Sequence, residues 1–278
     1  MRASPPKEIS MHRSTRTSRA LVAFIALGGG LLGFAAFQDG DFTWKVHDPD
    51  RPKPTVVTPG MPGTPTTPGT APSDATVLLG KGTGMKAWTS GGGADCKWIV
   101  NDDGTAQVKA GTGDVRTREN FRDVHVHVEW KIPKDRECRG QGGCNSGVFL
   151  MDQYEVQILG THNNESYADG MAASLYAQYP PLANPCRPNG EWNVYDILFR
   201  APVFAEDGSL KSPAYVTVFF NDIVVQNNVA MTGTTSHMRR AKYSKHADAM
   251  PIRLQDHSDP IHFANIWVRE LPPQQVAE

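Results

Sequence analysis

The sequence predicts an all-β fold of two packed antiparallel sheets, a sandwich or jelly roll, and three observations carry that prediction. Eleven short runs rich in β-branched and aromatic residues follow one another from residue 76 onward, separated by turn residues. No long stretch holds a sustained helical period. One pair of runs, VTVFF and IVVQ, is joined by Asn221 and Asp222, which take positive φ readily and suit a tight hairpin. About a dozen strands in roughly 200 residues is the strand density of two stacked sheets.

Ahead of the first strand the chain reads differently. Arg13, Arg16 and Arg19 precede an uncharged run of 18 residues, 20–37. A basic start, an apolar run and the small Ala35 and Ala36 fit a secretory signal. The run also just reaches membrane-spanning length, so an uncleaved anchor is the second reading. Gly28, Gly29 and Gly30 argue against a buried core helix. Residues 1–38 are therefore expected to be a signal peptide or anchor. Everything after them is expected to be exported: periplasmic, extracellular or outward-facing at a membrane. Residues 39–75 are rich in Pro, Thr and Gly, a composition that favours extended, solvated backbone, and read as a linker. The domain is expected over residues 76–272, with a tail at 273–278. The only expected membrane contact is through the N-terminal segment.

The early strands are TVLLG, CKWIV and TAQVKA. Next, DVHVHVEWKI (123–132) alternates: Val124, Val126, Val128 and Trp130 share one face, and His125, His127 and Glu129 the other. The plain reading of that polar row is contact with water. A metal site at His125 and His127 lacks a third ligand at diagnostic spacing, and a polar cleft is the remaining option. GVFLM follows Asn145 and Ser146, which read as a turn into the strand. In YEVQIL, Tyr154, Val156 and Ile158 face one way, and Glu155, Gln157 and Leu159 the other. NVYDILFR follows an Asn189-Gly190 turn and Trp192, which reads first as core and second as a sugar-stacking ring. YVTVFF and IVVQ form the hairpin. In PIRLQDHSDP, Ile252 and Leu254 share a face with Asp256, while Arg253, Gln255 and His257 share the other. FANIWVREL closes the series.

Composition narrows the function. The 278 residues are 39% hydrophobic and 21% charged with a net charge of −1, so no field draws nucleic acid or an anionic surface. No G-x-S-x-G, P-loop or dinucleotide fingerprint is present, and no cofactor is expected. The four cysteines allow three full pairings. Cys138 and Cys144 flank the flexible RGQGG and are the favoured disulfide, which leaves Cys96 for Cys186. Zinc lacks a C-x-x-C spacing. Strands bearing Glu, Gln, Asn and His, interleaved with Trp192 and Tyr176, suit a carbohydrate, whose hydroxyls need planar polar partners. For ordinary glycoside hydrolysis the natural carboxylate pair is Glu129 and Glu155, about 5 Å or more apart.

Taken together, NSGVFL, YEVQIL, LYAQYPP, GEWNVYDI, LQDHSDPI and NIWVREL resemble, in order, the 3-keto-disaccharide hydrolase domain family. FTWKVHDPDRPKP (42–54) resembles the lead-in of its secreted planctomycete members. The resemblance implies a concanavalin A-like jelly roll and activity on glycosides oxidised at C3. A C3 ketone acidifies the C2 proton, a base removes it, the C1 substituent leaves, and water adds back. Such a route needs one placed base and donors to the developing enolate. Glu155, at the YEVQ position, is implied as the base, and His257, at the QDH position, as a second base or as the acid. Asn145, Gln157 and Gln255 are implied hydroxyl or enolate partners. The polar and aromatic pattern itself adds Glu129, His127, Trp192 and Tyr176 as expected sugar contacts. The chain departs from the family pattern at Gly160, where relatives carry an acid, at Ala173, Ser174 and Ala177 around Leu175 and Tyr176, at Ser258 and Asp259, and at Ala264, where relatives carry an arginine. The missing acid and guanidinium predict a lost salt bridge or substrate clamp. The alternatives are a non-catalytic carbohydrate-binding jelly roll, or a structural domain at the cell envelope whose pocket is closed by packed side chains.

Overall fold

The computed structural model describes residues 45–51 and 53–272. The export segment expected over 1–38 and the tail over 273–278 lie outside the described residues. Among those described, no helix is long and apolar enough to cross a membrane.

Two antiparallel sheets form the sandwich. The larger contains β1 (Thr76–Leu79), β3 (Ile99–Val100), β4 (Ala106–Gln107), β6 (Val124–Lys131), β9 (Asn193–Arg200), β12 (Tyr215–Phe220), β13 (Ile223–Ala230) and β15 (His262–Glu270). Its order is β13-β12-β9-β6-β15-β4-β3, with β1 also paired to β15. The smaller contains β2 (Trp88–Thr89), β5 (Val115–Thr117), β7 (Asn145–Leu150), β8 (Tyr154–Leu159) and β14 (Arg253–Leu254), in the order β2-β5-β14-β7-β8. A separate ribbon pairs β10 (Val203–Phe204) with β11 (Leu210–Ser212). This is the jelly-roll architecture expected, and each of the eleven sequence runs overlaps one of these strands; Asn145 and Ser146, expected as a turn into the strand, are already the first residues of β7. The strands not foreseen, β2, β5, β10 and β11, are two or three residues long, too short to show alternation.

The core lies between the sheets. Val124, Val126, Val128 and Trp130 of β6 face Tyr154, Val156 and Ile158 of β8 and Ile252 and Leu254 around β14, all in one buried cluster. Burial of such side chains stabilises by roughly 1.5–3 kcal/mol each and is the main force holding the sheets face to face. The hairpin forms as expected, with Asn221 at φ 47° and Asp222 at φ 66°. Cys138 and Cys144 form a disulfide; Cys96 and Cys186 are free thiols. The Cys96–Cys186 expectation therefore fails. Cys96 lies by the backbone of Trp98, while Cys186 is buried, its Sγ 3.6 Å from the Arg187 carbonyl.

The Pro/Thr/Gly segment is extended, but it is not a solvated tether. Residues 58–73 double back on themselves: Thr70 N–H donates to Met61 O (2.9 Å) and Ser73 N–H to Thr58 O (3.0 Å). The resulting strap lies on the outer face of the larger sheet. Trp192 N–H donates to Pro65 O (2.9 Å), and Gly69 N–H to Glu129 Oε1 (2.8 Å). Glycine is needed where the strap folds back on itself: a Cβ on Gly69 would lie 2.4 Å from Met61 O and 2.7 Å from Gly63 N.

Candidate functional site

Each sheet of a sandwich has an outer face, and polar residues of the sequence divide between the two. On the smaller sheet, opposite residues of neighbouring strands share a face. Register places Arg116 of β5, Arg253 of β14, Phe149 of β7 and Glu155 of β8 in one row across it. The adjacent row has Gly147 opposite Gln157, and Gln255 N–H donates to the Gly147 carbonyl (3.1 Å). Both rows face away from the core. They form the floor of a cleft of about 250 Å³ lined by Asn145, Glu155, Gln157, Tyr176, Gln255 and His257. Six of the expected site residues are thus brought together. Phe149, Thr235, Ser236, His237 and Arg253 complete the lining.

Gly147 makes the hollow. With no side chain there, the Glu155 carboxylate lies over the β7 backbone, and a Cβ at that position would come within 2.5 Å of Glu155 Oε1. Glu155 is 5% exposed, and its carboxylate accepts no hydrogen bond among the described residues. Burial raises its pKa to about 8; the nearby Arg253 charge opposes the shift and Asp114 adds to it. Arg253 cannot swing onto Glu155. Its guanidinium lies 3.5 Å over the Phe149 ring, donates to Asp114 Oδ2 (2.7 Å), and is bonded through Nε to Asp152, which also holds Arg116 (3.0 Å).

Three polar acceptors belong to residues that line the same cleft. Asn145 Oδ1, Gln157 Oε1 and Gln255 Oε1 are buried without hydrogen-bond partners among the described residues. The opposite ends of two of these amides are tethered: Asn145 Nδ2 donates to Gln141 O (2.9 Å) and Gln157 Nε2 to Gln141 Oε1 (3.2 Å). Gln141 is itself anchored through Nε2 to Ser166 Oγ and Gly170 O, both at 2.7 Å. Buried carbonyl oxygens without partners are costly unless a ligand supplies donors. A polyol does so. At the rim, Tyr176 OH lies 2.8 Å from Tyr167 OH and 3.4 Å from His237 Nδ1. Burial, followed by the hydrogen bond to Tyr167, raises the Tyr176 pKa and keeps the phenol neutral. His257 is exposed at the opposite end of the polar row of β14, just beyond the strand.

Glu129, His127 and Trp192 do not join this cleft. They lie on the outer face of the larger sheet under the strap. Glu129 is fully buried, and its Oε1 accepts from Gly69 N–H and from Asn265 Nδ2 (2.8 Å each), with His127 Nε2 at 3.3 Å. Glu129 and Glu155 therefore sit on opposite sides of the core and cannot straddle one glycosidic bond. Of the polar row of β6, His125 is partly exposed, while His127 and Glu129 are buried rather than meeting water as the alternation suggested. His125 Nε2 (2.9 Å) and His127 Nδ1 (2.8 Å) share Asp196 Oδ1, and Trp267 stacks on His127. Burial alone would lower the His127 pKa, but hydrogen bonds to Asp196 and Glu129 outweigh it and raise it to about 9. Among the described residues no three His, Cys, Asp or Glu side chains are grouped to hold a metal ion. Trp192 is buried with the Lys131 ammonium 4.5 Å over its ring, which fits its packing role rather than a sugar platform.

Two departures from the family pattern, Gly160 and Ala264, also fall outside the cleft lining. A Cβ on Gly160 would lie 2.5 Å from Ile132 Cδ1 and 2.6 Å from Cys138 Sγ, so the disulfide occupies the room an acid would need. Ala264 lies opposite Glu129 in the register of β15 and β6. The two positions thus have different neighbours, Gly160 the disulfide and Ala264 the Glu129 strand.

Residues 74–269 match the family model described as a 3-keto-alpha-glucoside-1,2-lyase-like domain. A 3-keto-disaccharide hydrolase of Bacteroides thetaiotaomicron is 23% identical over 225 residues, 63% of this chain and 70% of its own length. A solved protein of Parabacteroides distasonis ATCC 8503, classed provisionally as a glycosyl hydrolase, is 44% identical with a TM-score of 0.74 over 79% of this chain and 93% of its own. A second solved protein of that organism is 20% identical with a TM-score of 0.52, covering 71% of this chain and 94% of its own, and shows the shared fold.

Proposed function

The chain belongs to the 3-keto-alpha-glucoside-1,2-lyase-like family, and from that premise we propose that it is an exported enzyme cleaving 3-keto-glycosides by base-assisted elimination followed by hydration. One observation carries the reading: a buried, unbonded carboxyl group with a pKa near 8, Glu155, shares an open cleft with three partnerless amide oxygens. The amide oxygens accept sugar hydroxyls, fixing the ring over the Gly147 hollow. Glu155, once ionised, takes the C2 proton, which the C3 ketone acidifies. The electron pair forms the C1–C2 double bond as the C1–O bond breaks, and the leaving oxygen takes a proton from the cleft rim, where His257 is the acid in reach of solvent. Water then adds across the double bond to give the free 3-keto sugar. A base whose pKa lies near the working pH combines strength with a usable ionised fraction.

Export rests on the basic and apolar N-terminal segment and is supported by the Cys138–Cys144 disulfide, a bond typical of oxidising compartments. The direct test is incubation of the purified chain with a 3-keto-disaccharide such as 3-keto-trehalose. Release of the 3-keto monosaccharide supports the reading. Tight binding without release assigns the cleft to carbohydrate binding alone, and no binding removes both.

A further inference from the structure

Beside the cleft, a second cavity of about 500 Å³ opens over the loop that follows β13. Tyr176 and His237 line both cavities, so the two adjoin. The first, at about 250 Å³, has room for a single ring, below the roughly 300–1,000 Å³ of sites that hold larger ligands. The second holds what is attached to that ring. Its lining differs in character. Tyr167 and Tyr176 meet edge to face, and His237 lies nearly parallel to Tyr176, so aromatic faces border the opening. Arg239 and Arg240 add two guanidinium groups against the single carboxylate of Asp169, which forms no ion pair with either. Arg239 is steadied by one bond, Nε to Ser236 Oγ (2.8 Å), which leaves its terminal nitrogens open; Arg240 has no partner among the described residues. In the first cavity the arginine is consumed by Asp114 and Asp152; in the second the guanidinium groups are not.

We propose that the second cavity is the leaving-group subsite and selects an acidic second sugar, a uronate whose carboxylate is held by Arg239 and Arg240. The planar guanidinium matches a carboxylate bidentately, and the neighbouring rings provide the apolar faces a pyranose stacks on. The inference rests on the reading of Glu155 and its cleft as the site of the reacting ring.

The test compares two 3-keto-disaccharides that share the reacting ring, one with glucose and one with glucuronate as the leaving unit. Calorimetric affinities are read on the Glu155→Gln chain and kcat/KM on the unaltered chain, at low and high salt. The expected result is about tenfold preference for the glucuronate compound, the scale of one charge-assisted hydrogen bond. That preference shrinks with salt, and the Arg239→Gln/Arg240→Gln chain no longer distinguishes the two compounds. Equal affinities, or a preference that survives the double substitution, overturn the subsite and leave the proposed function standing. If neither compound binds, both fall. Should the double variant misfold, the salt series on the unaltered chain decides: a preference that does not shrink with salt overturns the subsite.

Discussion

Gly147 and Glu155 are locked together: the carboxylate of one occupies the space beside the backbone of the other, at a distance no side chain can share. A Cβ at Gly147 would also lie 2.8 Å from Phe149 Cε2, the ring on which Arg253 rests. The Gly147→Ala chain is therefore expected to fold, since β7 keeps its ladder, but with Glu155 displaced. A shift of about 1 Å in a reacting group costs on the order of 100-fold in rate. Kinetics on a 3-keto-disaccharide, with circular dichroism to confirm folding, check this; near-normal turnover would contradict the hollow's role.

Glu155 also carries a stability cost. Its folded-state pKa of about 8 lies above that of an unfolded glutamate, so the proton is held more tightly in the fold. The sign follows: the penalty is absent below about pH 4.5, grows as pH rises towards 8, and is constant above. Glu155→Gln removes the ionisation. It is expected to raise stability at pH 8 by up to about 4 kcal/mol, with little change at pH 4.5, as groups tuned for reaction commonly cost stability. Denaturant unfolding at the two pH values measures it.

Gly160 is expected to resist conversion to the acid found in relatives. Gly160→Asp drives a side chain into Ile132 and the disulfide, and should cost about 2–4 kcal/mol without any gain in turnover. In a chain that also carries Cys138→Ser and Cys144→Ser the added cost should be smaller, because the sulfur bridge no longer fixes the obstruction. Equal costs in both backgrounds, read from thermal melts, would show that the disulfide is not what fills the position.

Glu129 holds the strap. Truncation in Glu129→Ala strips Gly69 N–H and Asn265 Nδ2 of their acceptor and should cost about 2–4 kcal/mol. Limited proteolysis should then cut within residues 58–70. The His127 bridge makes this contact pH-dependent. Its folded pKa of about 9 is raised, so its contribution is complete below about pH 6.5 and is lost as pH rises through 9. Cutting in the strap of the unaltered chain should accordingly speed up between those values.

The strands were legible because β-branched alternation survives in runs such as DVHVHVEW and YEVQIL. The inward rows, Val124 to Trp130 and Tyr154 to Ile158, followed from period alone. What alternation cannot tell is which outer face carries a ligand. His127 and Glu129 on one sheet and Glu155 and Gln157 on the other give the same pattern, yet a Pro/Thr/Gly strap seals the first and leaves the second open. That strap was hidden because its composition reads as linker, and its attachments are backbone bonds to residues more than 50 positions away. Arg253 shares its face with Gln255 and His257 in the sequence pattern, so its place in the cleft was within reach. His237 and Tyr167 come from irregular loops, where no period places a side chain.

The role of Glu155 as the base is open to one decisive measurement, the pH dependence of kcat/KM for a 3-keto-disaccharide on the unaltered chain and on Glu155→Gln. The rate is expected to rise with pH through an apparent pKa near 8, and to fall by at least about 100-fold in Glu155→Gln with sugar binding retained. A Glu155→Gln chain that turns over at the normal rate, with the same pH profile, would contradict that role.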